Sequence, residues 1–310
     1  MSNVLVIGSY VVDLMSRAPH LPKPGETVLG GPFQMGPGGK GGNQATAASR
    51  CGSEVTFITK VGDDLFGQEA LKHFESENIN TQYIIVDPSQ STGAALIAVD
   101  DKSENSIVVA LGACGTITEE EVVAAEERFK TADIVLLQLE TSIEAVVTTM
   151  KLAKRYNVPV ILNPAPYQEF PREILSAVTY ITPNETEAFE LSGVEVKDEE
   201  SALVAARKIH GLGVETVIIT LGSKGAFLYT GGEKGDLVPG LKVKAVDTTG
   251  AGDAFNGGFA HALCTGYSVR EAMTFANAVA ALSVTKIGTA PAMPYKHEVE
   301  EILKQEDVEK

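Results

Sequence analysis

The chain has 310 residues, of which 44% are apolar and 21% are charged, a composition typical of a globular protein with a large core. Its formal net charge of −16 argues against a nucleic-acid or anionic-membrane surface, which requires basic patches. No apolar run approaches the roughly 18–20 residues that span a bilayer, and we expect no signal peptide before the first strand. The three cysteines, Cys51, Cys114 and Cys264, lie far apart, so we expect reduced, mostly buried thiols in a cytoplasmic protein.

Short runs rich in β-branched residues alternate with helical patterns along most of the chain. The runs are NVLVIG (3–8), VTFITKVG (55–62), ADIVLLQLE (132–140), VPVILNPAP (158–166), VTYITPN (178–184) and TVIITLG (216–222). Helix-length gaps separate most of them, which predicts an α/β fold whose parallel sheet is buried on both faces. Capping boxes predict three helix starts, at Thr118 with Glu121, Thr141 with Glu144, and Ser268 with Glu271.

Two segments interrupt this alternation. Residues 14–40 are rich in proline and glycine and have no helical period, whereas residues 92–112 read as two strands around a polar turn. Together they predict a small, discontinuous β lid. The remaining segments, 1–13, 41–91 and 113–310, then form the α/β domain.

Polar or small residues stand where the predicted strands end. They are Glu140, Asn163, Asn184, Thr220 and Gly222. Ligands of open α/β sheets bind beyond the carboxyl ends of the strands. This rim of the sheet is therefore the predicted binding site.

A glycine-rich stretch near the C-terminus, DTTGAGDAFNGG (247–258), precedes a helical pattern that begins near Ala251. The first amides of a helix have no internal acceptor and carry partial positive charge, so they form a cradle for an anion. Gly250 and Gly252 would let a ligand approach the backbone closely. Asp253 could be an ordinary acidic residue at a helix N-terminus; we interpret it as a catalytic base that accepts a proton from a substrate hydroxyl.

A second glycine-rich stretch, GPGGKGGNQATAASRCG, covers residues 36–52. It is not a Walker A loop, because Lys40 is followed by Gly41 rather than by serine or threonine. The first strand leads into GSYVVD (8–13) instead of the GxGxxG of a dinucleotide-binding dehydrogenase. The stretch is either a flexible turn or a loop that brings backbone close to a small polar ligand, with Asn43 as donor and acceptor.

The motifs GGKGGNQA (38–45) and DTTGAGDAF (247–255) resemble the paired signatures of the ribokinase, or phosphofructokinase-B, family of sugar kinases. The likeness continues in the expected order through PGET (24–27), VGDDLFG (61–67), LQLE (137–140), NPAP (163–166), TPNETEA (182–188), TLGSKGAF (220–227) and SVTKIGT (283–289). The resemblance implies a three-layer α/β/α domain with a mainly parallel sheet, plus a small β-sheet lid that clasps a second subunit as a homodimer. It also implies transfer of the γ-phosphoryl group of ATP to a primary sugar hydroxyl.

The resemblance also implies a role for each matching residue. Asp253 is the general base, and the anion hole consists of Gly250, Ala251 and Gly252. The residues that hold the sugar are Val11, Asp13, Gly39, Lys40, Gly41, Asn43, Glu140 and Asp253. The residues that bind ATP are Asn184, Thr220, Gly222, Ser223, Gly225, Gly252 and Asn277. Glu187 organises Mg²⁺ through water.

A monovalent cation site, for K⁺, is implied as well. Its ligands are the Asp247 carboxylate and main-chain oxygens of Thr249, Ser283, Lys286 and Gly288. Ala292 stands where the family pattern offers a hydroxyl, so the shell either lacks one ligand or is completed by water.

The identity of the sugar depends on the residue two positions before Asp13. Ribose-specific members of the family have asparagine there, whereas this chain has Val11, an apolar residue as in deoxyribose kinases. An apolar pocket rejects an added hydroxyl by only about 10². We therefore expect a pentose kinase acting on the 5-hydroxyl of D-ribose and also on 2-deoxy-D-ribose. The alternatives are a dedicated deoxyribose kinase, a nucleoside or hexose kinase of the same family, and a catalytically silent sugar-binding regulator.

The predicted lid also suggests the subunit contact. Alternating apolar residues of its hairpin, Ala95, Ile97 and Val99, would otherwise leave an exposed sheet face and edge.

Overall fold

The computed structural model describes residues 2–102 and 104–309. The strands in these ranges are β1 (Asn3–Ile7), β2 (Val11–Arg17), β3 (Phe33–Gly38), β4 (Glu54–Gly62), β5 (Ile84–Asp87), β6 (Thr92–Val99), β7 (Asn105–Gly112), β8 (Ile134–Gln138), β9 (Val160–Asn163), β10 (Tyr180–Ile181), β11 (Thr216–Thr220), β12 (Gly225–Tyr229) and β13 (Asp236–Pro239). The α-helices are α1 (Lys40–Arg50), α2 (Leu65–Ser76), α3 (Glu119–Val123), α4 (Glu126–Phe129), α5 (Ile143–Tyr156), α6 (Glu185–Ser192), α7 (Glu199–His210), α8 (Ala251–Cys264), α9 (Val269–Ser283) and α10 (Lys296–Glu309). Short 3₁₀ turns follow β7, β9 and β11 and precede α10.

Among the described residues, nine strands form one sheet in the order β13-β12-β11-β10-β9-β8-β1-β4-β5. Neighbours from β5 to β11 run parallel, whereas β12 pairs antiparallel with both β11 and β13. All six strands predicted from the apolar runs belong to this sheet. Their carboxyl ends meet on one rim, as the sequence pattern predicts.

Both faces of this sheet are buried. Val4 and Val6 of β1 pack into one core with α1, α2, α8, α9 and α10, whereas Leu5 and Ile7 pack into the other with α3 to α7. Successive strand residues point to opposite faces, so the uninterrupted apolar runs supply both cores. The three-layer α/β/α architecture is therefore confirmed.

A separate sheet has the order β3-β2-β6-β7, in which β2 and β6 run parallel and the other pairs antiparallel. Its hairpin, β6 and β7, matches the two strands predicted within residues 92–112. The sheet begins at Val11 and α1 begins at Lys40, whereas the boundaries predicted from sequence fall after residues 13 and 40. The division of the chain into a kinase domain and a lid stays a prediction.

The exposed face of the hairpin differs from the sequence expectation. Ala95 is buried, and Ile97 and Val99 line a cavity beneath the sheet. The apolar residues that face outward are the alternate ones along the strand. Leu96 pairs with Val108, and the two residues are 56% and 63% exposed. Apolar residues fill both registers of β6, so alternation alone could not show which set is buried.

The predicted caps fall into two groups. Thr118 with Glu121 and Ser268 with Glu271 form the predicted capping boxes. The box predicted at Thr141 is wrong, because α5 is capped by Ser142, whose hydroxyl accepts the amide of Ala145. The Thr141 hydroxyl instead donates to the carbonyl oxygen of Cys114, and the Glu144 carboxylate accepts the amide of Glu119.

Two further sequence expectations concern cysteines and membrane spans. The cysteines are free; Cys51 and Cys114 are buried and Cys264 is partly buried. No helix within residues 2–102 and 104–309 has the length and apolar character needed to cross a bilayer.

Candidate active site

Two helix N-termini, those of α1 and α8, meet at the carboxyl rim of the large sheet. The helices approach closely because α8 has a glycine at the contact: a Cβ on Gly257 would lie 2.5 Å from Cβ of Ala47. This contact brings the first turn of α8, with Asp253, against Asn43 and Gln44 near the N-terminus of α1.

The Asp253 carboxylate is only 6% exposed and is held by two side-chain amides. Its Oδ2 accepts Nδ2 of Asn43 at 2.9 Å, and its Oδ1 accepts Nε2 of Gln44 at 2.9 Å. A carboxylate oxygen has two acceptor positions, so each oxygen keeps one free after these bonds. The group is therefore fixed in orientation and still able to accept a proton.

The N-terminus of α8 has the form expected for an anion cradle. Gly250 precedes the helix in a left-handed conformation with φ of 77°, and no side chain among the described residues caps the helix. A Cβ on Gly252 would meet no atom within 4 Å, so space is open in front of this turn. The amide of Ala251 donates to the main-chain oxygen of Thr248 at 3.3 Å, and the other amides of this turn are available to an anionic ligand.

A cavity of about 160 Å³ lies between this turn and the strand ends. It is lined by Lys40, Asn163, Ala165, Thr182, Asn184, Glu187, Thr220, Thr248, Gly250, Ala251, Gly252, Asp253 and Asn256. The cavity thus brings together the predicted base, the predicted anion hole and three of the four polar strand-end side chains; Glu140 is the exception.

Lys40 is the cation of this cavity. Burial lowers the pKa of its ammonium group, but the negative charges of Asp253, Glu140 and Glu187 outweigh that effect and leave the pKa raised. The side chain therefore stays charged beside the anion cradle, as a group that binds phosphate must.

Glu140 caps the N-terminus of α1. Its Oε2 accepts Oγ of Ser9 at 2.5 Å and the amide of Lys40 at 2.8 Å. A Cβ on Gly41 would lie 2.7 Å from the carbonyl carbon of Gly8. The neighbouring backbone therefore requires glycine at position 41, and the contact of Gly41 with a sugar stays a prediction.

Asp13 is missing from the described lining of the cavity that contains Asp253. It lines a second cavity, of about 560 Å³, beneath the four-stranded sheet, together with Asp247 and Thr289. Its carboxylate accepts the hydroxyl of Thr289 at 2.9 Å. Burial raises the pKa of Asp13 to about 6; the Thr289 bond opposes the rise, and the nearby charges of Glu140, Asp253 and Asp247 add to it.

Val11 is 2% exposed and packs in a small apolar cluster with Ala95 and Cys114. It is absent from the described lining of both cavities. Its backbone pairs with Gly38, and its amide nitrogen would lie 2.7 Å from a Cβ on Gly39. Val11 therefore contacts the backbone of the glycine-rich stretch at Gly38 and Gly39.

The residues predicted to bind ATP are spread along the rim. Asn184 caps α6 and pairs with Thr220, and both line the smaller cavity. Asn277 donates to the carbonyl oxygens of Val238 and Pro239, at 3.1 Å each, and so ties α9 to β13. Three further predicted residues are, like Asn277, missing from the described lining of that cavity: Gly222, Ser223 and Gly225.

Glu187 presents one carboxylate to the smaller cavity. Burial raises its pKa, while a backbone hydrogen bond from Asn184 and the charge of Lys40 act against the rise. The described residues contain no cluster of three or more histidine, cysteine, aspartate or glutamate side chains that could hold a metal. A single carboxylate fits Mg²⁺ that keeps several waters and is carried by phosphate oxygens.

Asp247 connects two loops behind the anion cradle. Its Oδ1 accepts the amide of Thr249 and its Oδ2 accepts the amide of Gly288, both at 3.0 Å. The main-chain oxygen of Ser283 already accepts the amide of Lys286 at 3.3 Å. Ala292 is buried in a 3₁₀ turn and offers no side-chain oxygen. Oxygen atoms are the ligands expected for K⁺, and the site stays a prediction with one ligand fewer than the family pattern.

Three residues that hydrogen-bond to the candidate site, directly or through another side chain, escaped the sequence analysis. Gln44 bonds the Asp253 carboxylate, Gln138 bonds Gln44, and Thr289 bonds Asp13. Glutamine is unusual in a strand that is buried on both faces. Its presence in the apolar run of β8 was therefore the feature of the sequence that could have identified Gln138.

Comparison with known proteins agrees with this geometry. A family model described as "pfkB family carbohydrate kinase" matches residues 1–296. A ribokinase of Haemophilus influenzae is 46% identical over 298 residues, which are 96% of this chain and 97% of that protein. A deoxyribokinase of Salmonella typhi is 39% identical over 302 residues, 97% of this chain and 98% of that protein. The structure of Arabidopsis thaliana ribokinase complexed with ribose and ATP has a TM-score of 0.90 at 32% identity, covering 98% of this chain and 99% of that one.

Proposed function

The chain belongs to the pfkB family of carbohydrate kinases, and from this premise we propose that it transfers the γ-phosphoryl group of ATP to the 5-hydroxyl of D-ribose. The observation that carries the proposal is a buried carboxylate, Asp253, held by two amides at the open N-terminus of α8. Such a pair supplies a proton acceptor and an anion site next to each other. Phosphoryl transfer to an alcohol requires both.

Asp253 acts as the general base. As the 5-hydroxyl oxygen forms a bond to the γ-phosphorus, the bond from that phosphorus to the β-bridging oxygen breaks and ADP leaves. The hydroxyl proton passes to a free acceptor position of the Asp253 carboxylate. The amides of Gly250, Ala251 and Gly252, with the ammonium group of Lys40, stabilise the charge on the transferred group.

The sugar is held beside the base. Asn43 supports this assignment, because its Oδ1 is buried and has no hydrogen-bond partner among the described residues. A buried acceptor without a partner is unfavourable, and a sugar hydroxyl would satisfy it. Asp13 and Glu140 offer carboxylate acceptors, and the Gly39–Lys40–Gly41 backbone forms the turn between them.

The nucleotide lies along the rim toward β11 and α9. Asn184 and Thr220 face its phosphates in the smaller cavity. The turn after β11 and the α9 side chain would contact the rest of the nucleotide through Gly222, Ser223, Gly225 and Asn277. Gly222 supports this role, because a Cβ there would meet no atom within 4 Å and the backbone is open to a ligand.

Two cations complete the proposal. Glu187 would hold Mg²⁺ through water, and the ion would neutralise charge on the ATP phosphates. The Asp247 carboxylate and the main-chain oxygens of Thr249, Ser283, Lys286 and Gly288 would hold K⁺ behind the anion cradle. The Asp247 carboxylate also accepts hydrogen bonds from the amides of Thr249 and Gly288, and these bonds keep the loops of both residues in place.

2-Deoxy-D-ribose is a second proposed substrate. Val11 packs among Ala95 and Cys114, so no polar side chain from that position reaches a 2-hydroxyl. A dedicated deoxyribose kinase is the alternative that this observation favours, and the Salmonella typhi relative supports it.

We further propose a homodimer joined through the outer face of the four-stranded sheet. Leu96 and Val108 leave an apolar patch there, with Phe33 exposed on β3 at the opposite edge. Apolar patches of this kind commonly mark an interface. A cytoplasmic location stays a prediction from the sequence.

Release of ADP in the presence of MgATP and a sugar panel tests the function. The panel contains D-ribose, 2-deoxy-D-ribose, a hexose and a nucleoside, and the product is identified as the 5-phosphate by NMR. We expect both pentoses to be phosphorylated, with the hexose and the nucleoside at least about 10²-fold slower in kcat/KM. Preferential turnover of the nucleoside or the hexose would contradict a pentose kinase, and no turnover of any sugar would favour a silent regulator.

A further inference from the structure

Given the proposed function, we propose that Gln138 is a positioning residue for phosphoryl transfer: acting through Gln44, it holds the Asp253 carboxylate in the orientation that receives the substrate proton. Gln138 is the last residue of β8 and Gln44 is the fifth residue of α1. Both side chains are fully buried, and both are missing from the described lining of the cavity that contains Asp253. Their effect on the base therefore passes through hydrogen bonds.

The bonds form a directed chain. Nε2 of Gln138 donates to Oε1 of Gln44 at 2.7 Å, and Nε2 of Gln44 donates to Oδ1 of Asp253 at 2.9 Å. The Gln44 nitrogen also donates to Oδ1 of Asn163 at 3.1 Å, and Nδ2 of Asn163 donates to the main-chain oxygen of Thr182 at 3.1 Å. Both hydrogens of the Gln44 amide are thus used, and its single oxygen faces Gln138.

This arrangement works in one orientation of Gln44 only. An ionised carboxylate accepts hydrogen bonds and donates none, so Gln44 must turn its nitrogen toward Asp253 and its oxygen toward Gln138. If position 138 offered an acceptor, the Gln44 amide would be drawn to turn round. Its oxygen would then face the Asp253 carboxylate, and the repulsion would displace the base.

Stability alone does not account for Gln138. Its Oε1 is buried and has no hydrogen-bond partner among the described residues, which is unfavourable for the fold. That oxygen lies against the backbone of Gly8, where a Cβ would be only 2.0 Å away. An apolar side chain in this core would avoid the unpaired oxygen. What Gln138 contributes is therefore the hydrogen bond that its Nε2 donates to Gln44.

Two substitutions, Gln138→Met and Gln138→Glu, test the inference. The first removes the donor at similar length, and the second replaces the donor by an acceptor. We expect kcat to fall about tenfold for Gln138→Met and further for Gln138→Glu, while KM for ATP and for the pentose stays within about threefold. The matched control is Thr149→Val, which removes a buried hydroxyl of α5 that has no partner among the described residues and should leave kcat unchanged.

The outcomes separate the inference from the function. Wild-type kcat in both Gln138 variants, or equal losses in kcat for these variants and for Thr149→Val, would overturn the positioning role. A wild-type protein that turns over no sugar would overturn the proposed function instead.

A second measurement requires neither turnover nor a folded Gln138 variant. In protein labelled with ¹⁵N-glutamine, we expect Asp253→Asn to shift the side-chain amide signals of both Gln44 and Gln138, because the three groups are coupled. A shift confined to Gln44 would show that Gln138 does not sense the base and would overturn the inference.

Discussion

Thr289 donates its hydroxyl to the Asp13 carboxylate at 2.9 Å and to the main-chain oxygen of Pro37 at 3.1 Å. Asp13 lies in β2 and Pro37 in β3, so one side chain joins two strands of the smaller sheet. The atoms of Thr289 also lie 3.5 Å from the point where a Cβ of Gly250 would stand. The smaller sheet is therefore connected to the turn that forms the anion cradle.

Replacing the Thr289 hydroxyl should weaken sugar binding. The hydrogen bond from Thr289 lowers the pKa of Asp13, so Thr289→Val should raise this pKa beyond its value of about 6. We expect the pentose KM to rise several-fold at pH 7 and the acid limb of the KM profile to move to higher pH. Thr289→Ser keeps the hydroxyl and should resemble wild type; identical profiles for the two variants would contradict the assignment.

Asp13→Asn should stabilise the protein at neutral pH. The pKa of Asp13 is about 6 in the folded chain against an ordinary value of 3.8, so the folded state holds the proton more tightly between these values. The contribution of Asp13 to the free energy of unfolding is therefore greatest below pH 3.8 and is lost as pH rises through about 6.

Thermal melting at two pH values tests the direction in which Asp13 changes stability with pH. Asp13→Asn should melt above wild type at pH 7.5 and close to it at pH 4, while its pentose KM rises. The exposed carboxylate of Asp63 provides the control, since Asp63→Asn should change neither quantity. A variant that melts below wild type at pH 7.5 would show that ionised Asp13 stabilises the fold.

Asp253→Asn should remove turnover and keep binding. The amide cannot accept the hydroxyl proton, so we expect kcat to fall by about 10²–10⁴. The dissociation constants of ATP and pentose, measured by calorimetry, should stay within about threefold. Glu190→Gln, at an exposed position of α6, is the control; a wild-type rate in Asp253→Asn would require a different base.

Val11→Asn should shift the enzyme toward ribose. An amide at this position can bond a 2-hydroxyl, so we expect the ratio of kcat/KM for 2-deoxy-D-ribose over D-ribose to fall about tenfold. Burying the amide should also lower the free energy of unfolding by about 1–3 kcal/mol. Val12→Asn carries a similar burial penalty on the opposite face of β2 and should leave the ratio unchanged. Equal ratios in the two variants would remove Val11 from substrate choice.

Leu96→Glu should dissociate the proposed dimer. The charge falls in the centre of the outer face, where Leu96 pairs with Val108. We expect light scattering at micromolar concentration to report a dimer for wild type and a monomer for the variant. Leu65→Glu changes another exposed leucine, in α2, and should remain dimeric. A monomeric wild type would contradict the interface.

Local sequence signals predicted much of the fold. The runs that became β1, β4, β8, β9, β10 and β11 are long enough to be unambiguous, and the glycine turn before Ala251 marked the start of α8. Strands β12 and β13 were missed, because they follow β11 through short turns instead of the helix-length gaps that separate most of the predicted strands. Thr141 was predicted as a cap because Glu144 follows three residues later; its hydroxyl instead bonds the main-chain oxygen of Cys114, and Ser142 caps α5.

Residues of the candidate site were predicted where the sequence immediately around them suggests their role. Asp253 and Asn43 stand in glycine-rich turns, and their types and positions suggest a base and a sugar ligand. Gln44, Gln138 and Thr289 act by contacts to distant segments, and no local pattern specifies such contacts. No local pattern specified the apolar cluster that Val11 forms with Ala95 and Cys114, and the role of Val11 in substrate choice stays a prediction.

The hydrogen bond between Asn43 and Asp253 joins residues 210 positions apart in the chain, and this separation has a consequence for biosynthesis. While the protein is being made, α1 emerges from the ribosome long before α8, so the polar face of its first turn is without its carboxylate partner for most of translation. Chains of this length fold through partly structured intermediates as synthesis proceeds. Nascent chains that end before α8 therefore lack Asp253, the proposed base, and with this assignment catalytic competence would arise only when the last fifth of the sequence has been added.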